Sequence, residues 1–305
     1  MYFKCLQIST VMKGVVTIAF LMSFSVITLA QHSDFDYFGL SSPGDSIKLF
    51  APHIVSLKDV REKSLAISPA GDEVFFSGGK SWPESKIMQV KKINNLWGEP
   101  QVADFCMDCF ACEPAFSPDG KYLFFSSSKG EKDIKRYSIW RLERTESGWE
   151  NLHKIIDIDD PNIWEFHPSV SKNGSVYFCR WDNKTQFGSI YKSIYIDGSY
   201  ADPVKIGLSF DIKSSVTDPF VDPDEKYIIT SSTDQNGKEG YDVFISYKKE
   251  DNSWSSPVNP GNRFNTSGDE DSFDVSPDGK FVFIYKQDDI YWTEAKGVIE
   301  KSSDH

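Results

Sequence analysis

The chain has 305 residues, with 45 Asp or Glu against 33 Lys or Arg and a formal net charge of −12. That balance excludes a nucleic-acid partner, which needs a basic footprint. It leaves open a cation, a basic partner or plain solubility, and the length suits one large domain.

Residues 1–30 read as a secretory signal peptide. Lys4 and Lys13 precede an apolar run, residues 14–30, that ends on Thr28-Leu29-Ala30 before polar Gln31. The run lies at the lower edge of what spans a bilayer, so no stable membrane span is expected after cleavage. No Cys follows it to carry a lipid anchor. The chain is expected to be exported, to the periplasm or beyond. Residues 31–46 form a polar, loosely held lead-in, and residues 47–305 a single domain.

Within that domain one turn recurs. Ser117-Pro118-Asp119-Gly120-Lys121 is echoed by Ser68-Pro69-Ala70-Gly71-Asp72, Ser171-Lys172-Asn173-Gly174-Ser175, Asp222-Pro223-Asp224-Glu225-Lys226 and Ser276-Pro277-Asp278-Gly279-Lys280. Proline presets φ, Asp or Asn suits the third position, and Gly takes a left-handed conformation at no steric cost. Each copy runs into β-branched and aromatic residues, such as Tyr122-Leu123-Phe124-Phe125 and Phe281-Val282-Phe283-Ile284, which read as the second arm of a hairpin. Gly71, Gly120, Gly174, Glu225 and Gly279 follow one another at 49–54 residues, a propeller-blade period.

Each unit adds a third strand (Ile87-Met88, Ile139-Trp140, Ile190-Tyr191, Val243-Phe244, Ile290-Tyr291) and an outer strand. The outer strands carry Trp97, Trp149, Tyr200 and Trp254. The fifth unit lacks its outer strand, and residues 47–52 look like an outer strand without a unit. The fold class is therefore all-β: a five-bladed β-propeller of four-stranded antiparallel blades, closed by the N-terminal strand so that no sheet edge stays open. Six blades are the alternative.

Glu113-Pro114-Ala115-Phe116-Ser117-Pro118-Asp119-Gly120-Lys121 resembles the repeat of the TolB-like β-propeller family, approximately Glu-Pro-x-Phe-Ser-Pro-Asp-Gly-Lys. The fifth copy departs from it at Ser272-Phe273, the third at His167 and the fourth at Glu225. The resemblance covers residues 48–292 and implies the propeller fold. Its members include periplasmic interaction proteins and domains attached to peptidases, so it implies no single activity.

Seven residues before each turn position lie Ser64, Glu113, His167, Asp218 and Ser272. In a propeller these start the innermost strands and should meet at one channel mouth, with Lys63, Cys112, Phe166, Thr217 and Asp271 crowding the same rim. Two carboxylates, an imidazole and two hydroxyls can bind a cation, a sugar or a peptide, or can merely cap backbone groups. Trp97, Trp149 and Trp254 repeat and read as packing residues. Trp82, Trp164 and Trp181 fall in loops and are candidates for an exposed contact. Cys106, Cys109, Cys112 and Cys179 form an even set in an exported chain, which predicts at least one disulfide with its pairing open. No second Cys-x-x-Cys supports a zinc site, and no nucleophile elbow, His-Glu-x-x-His or phosphate loop is present. No metal or cofactor is expected.

The sequence thus predicts a monomeric exported binding module for a protein or an envelope glycan. The alternative is a glycan-active enzyme with Glu113 and Asp218 as its carboxylates and His167 assisting.

Overall fold

The computed structural model describes residues 35–130, 136–156, 158–233 and 240–299. Residues 1–30, read above as a signal peptide, lie outside them. Among the described residues no helix is long and apolar enough to cross a membrane.

The strands form five antiparallel sheets in a ring, a five-bladed propeller. The first blade holds Arg61–Ile67, Glu73–Gly79 and Lys86–Ile93, edged by Leu96–Trp97 and Gln101–Val102. The second is Ala111–Phe116, Tyr122–Ser127, Ser138–Thr145 and Gly148–Lys154. The third is Ile163–Val170, Val176–Asp182, Phe187–Ser193 and Val204–Lys205, with a small hairpin, Tyr195–Ile196 and Ser199–Tyr200, beside it. In the fourth, Val216–Val221, Tyr227–Thr233 and Tyr241–Tyr247 are full strands. Its outer edge is reduced to two bridges, Trp254 on Lys248 and Val258 on Ile245. The fifth is Asp271–Val275, Phe281–Lys286 and Asp289–Glu294, completed by Lys48–Leu49, whose partners are Trp292 and Tyr291. The five innermost strands touch in cyclic order, and the first touches the last.

The apolar runs after each turn are continuous because both faces of every blade are covered. A strand's side chains alternate between faces, and each face meets a different neighbour. Val74 and Phe76 pack toward Phe281, Phe283 and Trp292 of the fifth blade, whereas Phe75 between them packs toward Leu123 and Phe125 of the second. Phe124 faces Val176 and Phe178 of the third, and Tyr177 faces Val216 and Ile228 of the fourth. Ile229 then meets Phe273, Val282 and Ile284 of the fifth. The core is five interblade layers rather than one centre.

The turns close as the sequence predicts. Gly120 N–H donates to Ser117 O at 2.8 Å, and the Ser117 hydroxyl donates to Asp119 at 2.6 Å. Glu225, in the glycine position of the fourth turn, adopts φ 56°. Its carboxylate compensates by pairing with Lys192 at 2.8 Å and accepting from Ser171 and Asn173.

The lead-in is better anchored than its polarity suggests. Tyr37 is buried, donates to Asp278 at 2.7 Å and packs edge-on against Phe281. Phe38 lies against Trp97. Trp97 and Trp149 sit in interblade layers and Trp254 is buried, so all three pack as the repeat implies.

Candidate functional site at the channel mouth

Every innermost strand is interrupted at the same place. Its register slips between Lys63 and Leu65, Cys112 and Ala115, Phe166 and Ser169, Thr217 and Phe220, and Asp271 and Phe273. The residues at these five bulges are the predicted rim set: Ser64, Glu113, His167, Asp218 and Ser272, with φ of 51°, 56°, 55°, 48° and 61°. None is glycine, so each holds left-handed backbone at a cost of about 1–3 kcal/mol. Pro114, Pro168 and Pro219 follow three of them and need no ladder partner at a bulge. The bulges re-aim all five side chains.

The structure brings the five together and buries them. Ser64 and Ser272 share a hydroxyl–hydroxyl hydrogen bond of 2.9 Å across the closing seam. Glu113, His167 and Asp218 each present one ligand atom, all within 4.8 Å of one another. His167 Nδ1 lies 2.9 Å from Asp218 Oδ1 and 3.8 Å from Glu113 Oε1. Neither contact has hydrogen-bond alignment, and among the described residues these three atoms have no hydrogen-bond partner.

Lys63 supplies the countercharge. Its ammonium lies 3.3 Å from Asp218 Oδ1 and 3.2 Å from Asp271 Oδ2. Burial opposes its charge, but Asp218, Asp271 and Glu113 outweigh that and raise its pKa well above normal. Burial pushes Asp218 up, yet Lys63 and His167 together hold it well below the carboxylate range. Asp271 goes the other way: burial and Asp218 outweigh Lys63, and its pKa rises. Burial also lifts Asp274 to about 6. His167 is raised, because the neighbouring Asp218, Glu113 and Asp274 overcome its desolvation. Glu113, His167 and Asp218 could together hold a metal ion, and the Lys63 ammonium is the cation that Asp218 faces among the described residues.

Part of the set is structural. Glu113 Oε2 accepts from the Ser126 hydroxyl and from the His167 backbone N–H, both at 2.8 Å, tying the third blade to the second. Glu113 N–H donates to the Ser77 hydroxyl of the first blade at 2.7 Å. Leu65 N–H donates to Asp274 of the fifth at 3.2 Å. The side chains nearest solvent are Lys63 and Asp271, 15% and 25% exposed. Trp82 and Tyr285 flank the Lys63 ammonium at 5.4 and 5.7 Å. Trp82 and Trp164 are half-buried against Phe110 and Tyr137 rather than free in loops.

Solved structures share this architecture. An endo-arabinase from Bacteroides thetaiotaomicron VPI-5482 is 15% identical, with a TM-score of 0.51 over 81% of this chain and 97% of its own. A thermostable family-43 glycoside hydrolase is 14% identical, with a TM-score of 0.51 over 79% and 90%. The likeness is one of fold. A hydrazine synthase from Kuenenia stuttgartiensis matches at 17% and TM-score 0.46 over 73% of this chain, which spans 61% of that one. No family model matches the chain, and no curated protein does, so the TolB-like resemblance rests on the turn motifs.

Sequence reading missed Asp274, although it lies two residues beyond Ser272 on the same innermost strand. It placed Lys63 and Asp271 only as neighbours, whereas they form the accessible end of the cluster. The disulfide expected among Cys106, Cys109, Cys112 and Cys179 is not formed; all four are free thiols. Their sulfurs serve different places. Cys106 points at the Ile87 and Ala103 carbonyls, Cys109 at the Ser127 hydroxyl, and Cys179 at Val216 O. Cys112 is fully buried, and burial and the neighbouring Glu113 hold its thiol protonated.

Proposed function

We propose that this propeller acts on a glycan at its channel mouth, with Asp271 as proton donor and Asp218 as the ionised carboxylate. One observation carries the reading: two carboxylates share the Lys63 ammonium at 3.2 and 3.3 Å and are driven in opposite protonation directions. Splitting a carboxyl pair in this way separates an acid from its charged partner. Since both oxygens touch the same nitrogen, they lie no more than about 6.5 Å apart. That favours the close spacing of retaining glycosidases, roughly 5–5.5 Å, over the wider one of inverting enzymes. Asp271 would protonate the leaving oxygen while Asp218 attacks or stabilises the anomeric carbon. Lys63 holds Asp218 charged, and Trp82 and Tyr285 offer ring faces for sugar. The scaffold is compatible with this, since the endo-arabinase and the family-43 glycoside hydrolase use the same fold, but fold alone assigns no activity. The pair differs from the Glu113–Asp218 pair of the sequence reading, because Glu113 is committed to the His167 backbone.

A second reading is a binding module without turnover, for an envelope glycan or a protein. The burial of Glu113 and Asp218, 1% and 4% exposed, favours it. Either reading goes with an exported monomer. The mature chain incubated with neutral and acidic polysaccharides decides between them. New reducing ends, lost at least 100-fold in Asp271→Asn and Asp218→Asn, support the enzyme. Retardation on glycan gels without reducing ends supports a glycan-binding module, and the absence of both results removes the two glycan readings and leaves a protein partner.

A further inference from the structure

A second site lies away from the channel, at the turn ends of the second and third blades. A cavity of about 340 Å³ opens there between Asp119, Tyr122, Arg141, Lys172, Tyr195 and Tyr200. Its size falls at the small end of ligand pockets, roughly 300–1,000 Å³, room for one sugar-sized unit rather than a polymer.

The unusual group is Arg141. Its guanidinium stacks over Tyr122 at 4.5 Å and near Tyr195 at 5.7 Å. Its Nε is buried without a hydrogen-bond partner. Arg61, Arg144, Arg180 and Arg263 each pair with a carboxylate; among the described residues Arg141 pairs with none. Its guanidinium reaches the neutral Tyr200 hydroxyl, and in a chain with 45 acidic and 33 basic residues it does not lack a carboxylate for want of them. A guanidinium presents a planar fork that matches a carboxylate in two hydrogen bonds. The second cation in the cavity, Lys172, is already engaged by Asp224 at 2.8 Å.

The remaining walls narrow the ligand further. Tyr195 and Tyr200 lie 5.0 Å apart, centroid to centroid, and Tyr195 is exposed, so ring faces are open for stacking. Burial raises the Tyr200 hydroxyl to about 12, with Arg141 opposing, so it stays protonated and can donate. Asp119 contributes a carboxylate to the same cavity. Its Oδ1 accepts from the Ser117 hydroxyl and the Lys121 N–H, and its Oδ2 lies 3.1 Å from the Lys121 ammonium, so its charge is met while a remaining lone pair can accept from a sugar hydroxyl. One negative charge, several hydroxyls and a sugar ring with an apolar C–H face fit together here.

We infer that this cavity binds a uronic acid unit, its carboxylate on Arg141 and its ring against Tyr195. The inference is independent of any reaction at the channel mouth. The test is a calorimetric titration of the mature chain with glucuronate, galacturonate, glucose, acetate, inorganic phosphate and a short acidic peptide. At least one uronate should bind tenfold or more tighter than glucose, acetate, phosphate and the peptide. Arg141→Met, which keeps the apolar stem over Tyr122, should lose at least tenfold with an unchanged melting temperature. Should that variant fail to fold, Tyr195→Ala on the exposed hairpin replaces it and should lose several-fold. Equal binding of glucose or acetate, tighter binding of phosphate or peptide, or unchanged uronate affinity in the folded variant would overturn the assignment.

Discussion

The turns and the channel rim use the same left-handed backbone five times each, and they fill it differently. At the turns, Gly71, Gly120, Gly174 and Gly279 take φ of 70–83° without a Cβ to clash. At the rim, Ser64, Glu113, His167, Asp218 and Ser272 take φ of 48–61° with full side chains. The turn needs only a reversal of direction, so the residue that costs least suffices. The rim needs side chains aimed inward, and the strain is tolerated because the bulge that causes it also does the aiming. Glu225 stands between the two cases, a turn position whose side chain was kept and ion-paired to Lys192.

The largest test of that contrast removes the rim's cation. Lys63→Met leaves buried Asp218 and half-buried Asp271 without it, and losing one partner of a buried pair costs about 3–5 kcal/mol. Urea unfolding at neutral pH should show this loss, and acid should narrow the difference by protonating Asp271. A variant as stable as the parent would mean the rim charges are not mutually dependent.

A smaller effect is expected from Asp274→Asn. The folded pKa near 6 exceeds the unfolded carboxylate value of about 3.9. The folded state therefore binds a proton more tightly, and this residue's contribution to stability declines as pH rises from about 4 through 6. Asparagine can still accept from Leu65 N–H without carrying that penalty. The variant should gain on the order of 2–3 kcal/mol at pH 7 and nothing near pH 4. His167 runs with the same sign: its raised pKa adds stability below about 6.5 that fades as pH climbs past the folded value. Thermal melts across pH 4–8 give the comparison. A gain independent of pH would point to packing instead.

The smallest effects separate the two uses of left-handed backbone directly. Gly120→Ala should cost about 1–2 kcal/mol. Ser272→Gly should stay within about 1 kcal/mol, because relief of strain offsets the lost hydroxyl contact with Ser64 and the added unfolded-chain freedom. Glu225→Gly should be nearer to neutral still. Equal losses at Gly120 and Ser272 would erase the distinction.

The architecture was legible because its signals are local and repeated. A Ser-Pro-Asp-Gly turn closes on its own hydroxyl and backbone, and five copies at one period leave little choice of fold. Counting back to the rim worked for the same reason, since bulge and turn keep a fixed offset. What the period could not carry was chemistry between blades. Glu113 reaching His167 N–H, and Lys63 reaching both Asp218 and Asp271, are contacts that a shared repeat position brings near but does not specify. The thiols misled because export and an even count argue about environment, whereas pairing needs the sulfurs to face one another, and three of these four point at different backbone or hydroxyl oxygens.

The pairing of Lys48–Leu49 with Tyr291 and Trp292 also sets the order in which the molecule can assemble. Hairpins within a blade and layers between adjacent blades form from contacts close in sequence, and these are fast. The clasp of the fifth blade joins the first and last strands of the described residues, so it closes the longest loop among them. Until then the outer face of Asp289–Glu294 is an unpaired edge, open to any other chain that offers a strand. The hazard of this fold is therefore one of timing, concentrated in the interval before its first strand finds its last.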